Sequence, residues 1–231
     1  MAKRLTEEEL EHDPLIDFYT RVMGFYYDKK QMVIGGAILL ILLIGGTISY
    51  SLYMNTQEEQ AQRLLGTAEQ YFMNGDYQSA LNGAEASVGF INIINNYGGT
   101  DAANLSTYYA AVSEYRLGNT QQALTHIENY DYPYGIVGVS PIAFHASILM
   151  DLESYSSAAE KYIQAAEWVE NETTTPKYYY QAAEAYHKAG ELRQAKELVQ
   201  RVIDEYPGAN ASGKAERLLG QLKTQLASST E

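Results

Sequence analysis

The sequence predicts an all-α protein: a single N-terminal transmembrane helix, then a solenoid of about four helical hairpins closed by a C-terminal capping helix. Three observations predict it. Residues 32–54 are a run of 23 without a charge. Beyond that run, alanines paired twelve residues apart recur four times. After Pro207, an amphipathic stretch follows the last pair.

The apolar run comes first. At 1.5 Å per residue a helix over residues 32–54 reaches about 34 Å, enough to cross a hydrocarbon core of about 30 Å with some tilt. A cleaved signal peptide has a short basic lead and an apolar core of about 7–15 residues. Here 31 residues precede the run, seven of them acidic, so the segment is expected to stay as an anchor. Lys29 and Lys30 abut it on the amino side, whereas Arg63 is the one basic residue between positions 55 and 74. The positive-inside rule therefore puts the N-terminus in the cytoplasm and residues 55–231 on the far side. Phe25, Tyr26 and Tyr27 on one flank, and Tyr50 and Tyr53 on the other, match interfacial aromatic belts.

The preceding segment, residues 1–31, is expected to be cytoplasmic. Asp13 and Pro14 form a helix start, and Leu15, Ile16, Tyr19, Val22, Met23 and Tyr26 share one helical face. Such a helix would lie on the membrane surface or against a membrane partner.

The far-side domain, residues 55–231, carries 11 Lys and Arg against 22 Asp and Glu. That balance disfavours nucleic acid and anionic lipid as partners, since both require basic patches. With no cysteine in the chain, disulfides and thiol chemistry are excluded.

Its period is explicit. The alanine pairs are Ala68 and Ala80, Ala111 and Ala123, Ala146 and Ala158, and Ala183 and Ala195. Seven residues after each first alanine come Gly75, Gly118, Glu153 and Gly190, and two further on Tyr77, Thr120, Tyr155 and Leu192. First alanines are spaced by 43, 35 and 37 residues, a period that signals stacked hairpins. A small residue in each helix lets the pair approach closely, and glycine tolerates the left-handed conformation that ends the first helix. Each hairpin has an apolar face that it cannot bury alone, so the hairpins must stack. Ala215, Leu218, Leu219, Leu222 and Leu226 then give one apolar face to a closing helix.

This pattern resembles the tetratricopeptide repeat, most closely in "AAEAYHKAGELRQAKELVQRVIDEYPG", with Ala183, Tyr186, Gly190, Ala195 and Pro207 at family-like spacing. Three features depart from it: Glu153 in place of the turn glycine, Glu114 where Tyr is usual, and no signature Trp. Trp168 lies in a second helix, where packing is expected. Nine extra residues within "EASVGFINIINNYGGTDAANLS" predict an extended or broken second helix in the first repeat.

No catalytic constellation appears. H-E-x-x-H, G-x-S-x-G and the P-loop pattern are missing; a carboxylate-bridged di-metal site needs two E-x-x-H pairs, residues 55–231 supply one, Glu184 with His187, and Glu9 with His12 repeats the spacing on the other side of the expected membrane span. The expectation is no enzyme, no metal, no cofactor and no small-molecule substrate. What remains is protein binding. In tetratricopeptide arrays the first helices line a groove. The resemblance places Tyr108, Tyr109, Tyr115, Arg116, Phe144, Tyr180, Glu184 and His187 near it. Tyrosines offer stiff contact area with a polar tip, and each can equally serve inter-helix packing.

The whole layout is similar to the YfgM-like family of ancillary SecYEG translocon subunits. The stretch "ALNGAEASVGFINIINNYGGTDAANLSTYYAA" carries that likeness. It implies a bacterial inner-membrane protein whose periplasmic repeats work beside SecYEG with the anchored chaperone PpiD or with emerging secreted chains. The competing expectation is an envelope scaffold coordinating cell-wall or outer-membrane assembly. Such proteins are usually freed by a signal peptidase or lipidated at cysteine, and this chain has neither feature.

Overall fold

A computed structural model of the chain describes residues 14–84 and 87–228, and the chain divides into two compact units, Met1–Thr56 and Gln57–Glu231. Asp13, expected as a helix cap, lies outside the described residues.

In the first unit α1 (Pro14–Asp28) begins at proline, whose missing N–H suits the first helical position. Ile16, Tyr19 and Val22 on its apolar face are exposed. Helix α2 (Lys30–Met73) has 44 residues and holds a stretch long and apolar enough, by length and composition, to cross a membrane. None of that stretch is buried by the protein. The helix does not stop where the apolar run ends at Met54. Residues 55–73 contain no proline and no left-handed glycine, so nothing breaks the backbone ladder before Gly75.

The second unit consists of the last turns of α2, then α3 (Tyr77–Asn82), α4 (Phe90–Asn96), α5 (Asp101–Arg116) and α6 (Thr120–Glu128). A short 3₁₀ turn (Ile136–Gly138) leads into α7 (Val139–Asp151), α8 (Tyr155–Trp168), α9 (Thr175–Lys188), α10 (Leu192–Glu205) and α11 (Ser212–Ser228). The described residues contain no strand. Consecutive helices pack in sequence, α5 on α6 through α10 on α11, as an open array must.

All eight paired alanines are fully buried, each at 0% exposure. The four hairpin turns share one hydrogen-bonded form. Gly75 N–H donates to the Phe72 carbonyl and Asp76 N–H to Tyr71, and the same two bonds recur at Gly118 and Asn119, Glu153 and Ser154, and Gly190 and Glu191. This is the Schellman ending, with its left-handed residue at φ 79° in Gly75, 85° in Gly118 and 79° in Gly190. Glu153 adopts φ 58° at the third turn, the one non-glycine residue with positive φ among those described. A left-handed residue with a Cβ is strained by about 1–2 kcal/mol, so the repeat geometry overrides local preference there.

The first repeat departs from the rest as its sequence predicts. Its second helix is in two pieces, α3 and α4, and Gly83 and Gly89 meet between them. A Cβ on Gly89 would lie 2.2 Å from the Leu81 carbonyl oxygen and 2.4 Å from the Gly83 nitrogen. Only glycine allows the backbone to pass itself that closely.

Long connections are pinned by side chains. Asn104 on α5 takes the N–H of Asp131 and donates to its carbonyl, both at 2.9 Å, fixing the loop after α6. Trp168 Nε1 donates to the Pro133 carbonyl at 3.2 Å, over Gly138, where any Cβ would strike the indole. Trp168 therefore packs. Thr100 and Glu58 both cap the start of α5, Glu58 accepting from Asp101 N–H at 2.7 Å. The "YGGTDAANL" motif thus does structural work: Thr100 starts the helix and Asn104 anchors the next loop. Finally, α11 buries Ala215, Leu218, Leu219 and Leu222 against α10 and α9.

Candidate protein-interaction surface

The eight sequence-predicted residues separate into two groups and one outlier. Tyr108, Tyr109, Tyr115 and Phe144 belong to a ladder of aromatic rings crossing the first three repeats. Tyr109 stacks on Phe90 at 5.3 Å between centroids and lies 4.8 Å from Phe72. Tyr108 meets Tyr130 at 5.3 Å and Phe144 edge-on at 6.1 Å, and Tyr115 meets Phe144 edge-on at 5.4 Å. Tyr130 and Tyr132 extend the ladder into the loop after α6, where Tyr132 meets Trp168 of α8. These offset and T-shaped pairs suit the aromatic quadrupole, contributing about 0.5–1.5 kcal/mol each beyond burial.

The four predicted rings are half-buried. The Tyr115 hydroxyl donates to Asp151 Oδ2 at 2.5 Å, and that bond, ahead of burial, raises its pKa. Burial is the first cause for Tyr108, whose pKa is raised, and for Tyr109, pushed up to about 12 with help from Glu69. Arg116 stands apart, exposed at the end of α5.

Tyr180, Glu184 and His187 form the second group, on α9. The Tyr180 hydroxyl donates to Glu184 Oε1 at 2.8 Å. Its pKa is pushed up to about 12 by burial and then by Glu184. His187 Nε2 shares a hydrogen bond of 2.9 Å with Gln225 Oε1 on α11. Tyr180 and Glu184 line a groove of about 480 Å³ between α9 and the loop into α11, with Lys177, Gln181 and Lys214. A second hollow of about 260 Å³ adjoins it, sharing Tyr180, Glu184 and Lys214 and adding His187, Lys188 and Arg217. Among the described residues, no group of three or more His, Asp or Glu could hold a metal ion.

A tetratricopeptide-repeat family model matches residues 178–209, which run from α9 through α10. Two crystal structures of nearly identical TPR-like repeats from a putative kinesin light chain of Podosopora anserina resemble the fold. The first covers 74% of this chain and 89% of its own, with 14% identity and a TM-score of 0.53. The second, a single-substitution variant, covers 75% and 97%, with 15% identity and a TM-score of 0.50. The array is a tetratricopeptide-repeat fold. MamA (residues 41 to end) from Desulfovibrio magneticus RS-1 also matches, over 73% of this chain and 96% of its own, at 14% identity and a TM-score of 0.44. No curated protein matches the sequence.

Two features of the tetratricopeptide array were not found by reasoning along the sequence. One wall of the α9 groove comes from Lys214 and Arg217 on α11, a helix that the repeat pattern marks only as a cap. The other feature is the tip of the loop after α6, where Tyr134 (94% exposed), Ile136 and Val137 stand bare above the pinned Tyr132 and Pro133. The phrase "YDYPYGIVG" held that signal, an apolar segment with Pro133 and Gly135 and no helical period.

Proposed function

We propose that the protein is a non-enzymatic recruiter anchored in the bacterial inner membrane. In this reading residues 32–54 span the bilayer, the N-terminus is cytoplasmic and residues 55–231 are periplasmic. The observation that carries it is the charge-free apolar run, flanked by Lys29 and Lys30, in the helix that also opens a tetratricopeptide array. A repeat fold supports protein partners in general. The resemblance to YfgM-like proteins supports a finer reading, an ancillary SecYEG subunit. The anchor and α1 dock on membrane subunits, and the array holds a periplasmic chaperone such as PpiD or an emerging secreted chain.

Two experiments test it. Intact-mass analysis of membrane-extracted protein should retain residues 1–30, and protease added to spheroplasts should digest the array; a mature N-terminus near residue 52 overturns the anchor. Site-specific cross-linking in vivo should join α1 and the span to translocon subunits. Exchanging residues 1–54 for an unrelated signal anchor should abolish that contact while keeping the periplasmic partner. Retained translocon cross-links after the exchange would show that the array alone makes the contact, and cross-links to wall or outer-membrane factors would favour a scaffold.

A further inference from the structure

The second unit is strongly acidic, and its charge is not evenly spread. Among residues 57–231 there are 11 Lys and Arg and 22 Asp and Glu. The two adjoining hollows between α9 and α11 are lined by four of those cations, Lys177, Lys188, Lys214 and Arg217, and by only two of the carboxylates, Glu172 and Glu184. The two-to-one excess of acid in the unit as a whole is reversed here. Among the described residues none of the four cations forms an ion pair. Lys214 sits 5.9 Å above the Tyr180 ring instead, Lys177 lies 4.8 Å from Tyr178 and Lys188 5.5 Å from Tyr155. Glu184 is turned onto the Tyr180 hydroxyl, which draws part of its hydrogen-bonding capacity away from the groove.

The two hollows are contiguous. The hollows join through Tyr180, Glu184 and Lys214, and the cations lie along both, on α9 and α11. Together their volumes fall in the range that small ligands and short peptides fill. A half-buried tyrosine in the middle offers a platform for an apolar or aromatic side chain.

We propose that this groove binds a short, extended, acidic peptide segment of a protein partner, its side-chain carboxylates seated on Lys177, Lys188, Lys214 and Arg217 and one apolar residue on Tyr180. The inference rests on reading the array as a protein-binding module and not on the translocon assignment. Long-range attraction from four clustered cations would also steer such a segment past an otherwise repulsive surface.

The test uses the full chain in an uncharged detergent and fluorescence anisotropy. The probe is a fluorescein-labelled octapeptide of Asp and Glu with one central Leu, amidated at its C-terminus. It should bind at about 100 mM salt, and more weakly as salt rises. The Asn and Gln isostere should bind at least about tenfold more weakly. Replacing Lys177, Lys214 and Arg217 together by Gln should cost about tenfold, since three rim pairs at about 0.2–1 kcal/mol each sum to that order. Replacing Arg193, Lys196 and Lys223 by Gln makes the same change in net charge outside the groove and should leave affinity within twofold. Unchanged helical melting of both variants keeps the comparison fair. Equal binding of acidic and neutral peptides overturns the proposal, as does wild-type affinity in the groove variant. Binding that requires a free C-terminal carboxylate on a neutral peptide also overturns it, as does binding to phosphatidylglycerol vesicles but not to the peptide. If peptide binding fails while translocon cross-links persist, only the groove assignment falls.

Discussion

The first and fourth hairpins start from the same alanine pair and end differently. In the fourth, α9 and α10 have 14 residues each and cross on Ala183 and Ala195, with Ala182, Val199 and Val202 completing a seam of small and branched side chains. In the first, Ala68 and Ala80 are equally buried, but α3 ends after six residues and α4 resumes at Phe90. Beside the break a ring cluster forms: Phe90, fully buried at the start of α4, packs with Phe72 and Tyr109. Both hairpins thus keep the buried alanine pair. Beyond that pair the second helix can run on unbroken or break and restart around an aromatic cluster, provided the volume is filled.

The largest expected effect breaks this comparison on the aromatic side. Phe90→Ala should destabilise the array by about 3–5 kcal/mol, because the rings around it cannot collapse into the space left. Hydrogen exchange should show the loss in α3 to α5, with α9 and α10 still protected. Uniform loss of protection would mean that the repeats do not stack as neighbours.

Next comes the alanine side. Ala183→Leu should cost about 1–3 kcal/mol by overpacking, while Ser157→Leu, on the exposed face of α8, should change the melting temperature little. Equal melting of the two variants would remove the basis of the repeat alignment.

The third prediction sharpens the contrast with the repeat between them. His145, buried on α7, shares a 2.7 Å hydrogen bond with the Tyr132 hydroxyl. Burial first, and then the Lys161 ammonium, lowers its pKa from 6.5 to about 4. The folded state therefore favours neutral imidazole. The stabilisation is complete above pH 6.5 and is lost as pH falls through the window from 6.5 to 4, a loss of about 1–2 kcal/mol once solvent screening is allowed for. His145→Gln should flatten that part of the stability–pH curve, measured by thermal melts. An unaltered slope would assign the acid sensitivity to carboxylates.

The smallest effect concerns the third turn. Glu153→Gly removes a strained left-handed residue but frees the unfolded chain, so a net gain of about 0.5 kcal/mol is expected. Gly190→Glu should move the opposite way by about 1 kcal/mol or more. Chemical denaturation midpoints of both variants decide it.

The sequence by itself determined the helical class, the hairpin period, the capping helix and the place in the first repeat where the second helix is extended or broken; the structure decided that it breaks. These rest on local signals: alanine spacing, turn glycines, a charge-free run and the apolar face of residues 215–226. Even Glu153 was legible as the occupant of a glycine position, although only the backbone showed that it takes up the left-handed conformation. The candidate site was legible in part. Tyr180, Glu184 and His187 do share one hollow, but Tyr108, Tyr109, Tyr115 and Phe144 are set into a ring ladder whose members Phe72, Phe90 and Tyr130 come from other elements. Repeat position tells which way a side chain leaves its own helix; it does not tell what the neighbouring helix places there. The same limit hid the cationic groove, since Lys177 and Lys214 lie 37 residues apart and meet only because α11 folds back along α9. Local periodicity is carried by the chain, whereas charge clustering and ring stacking arise from residues distant in sequence, and only packing brings those together.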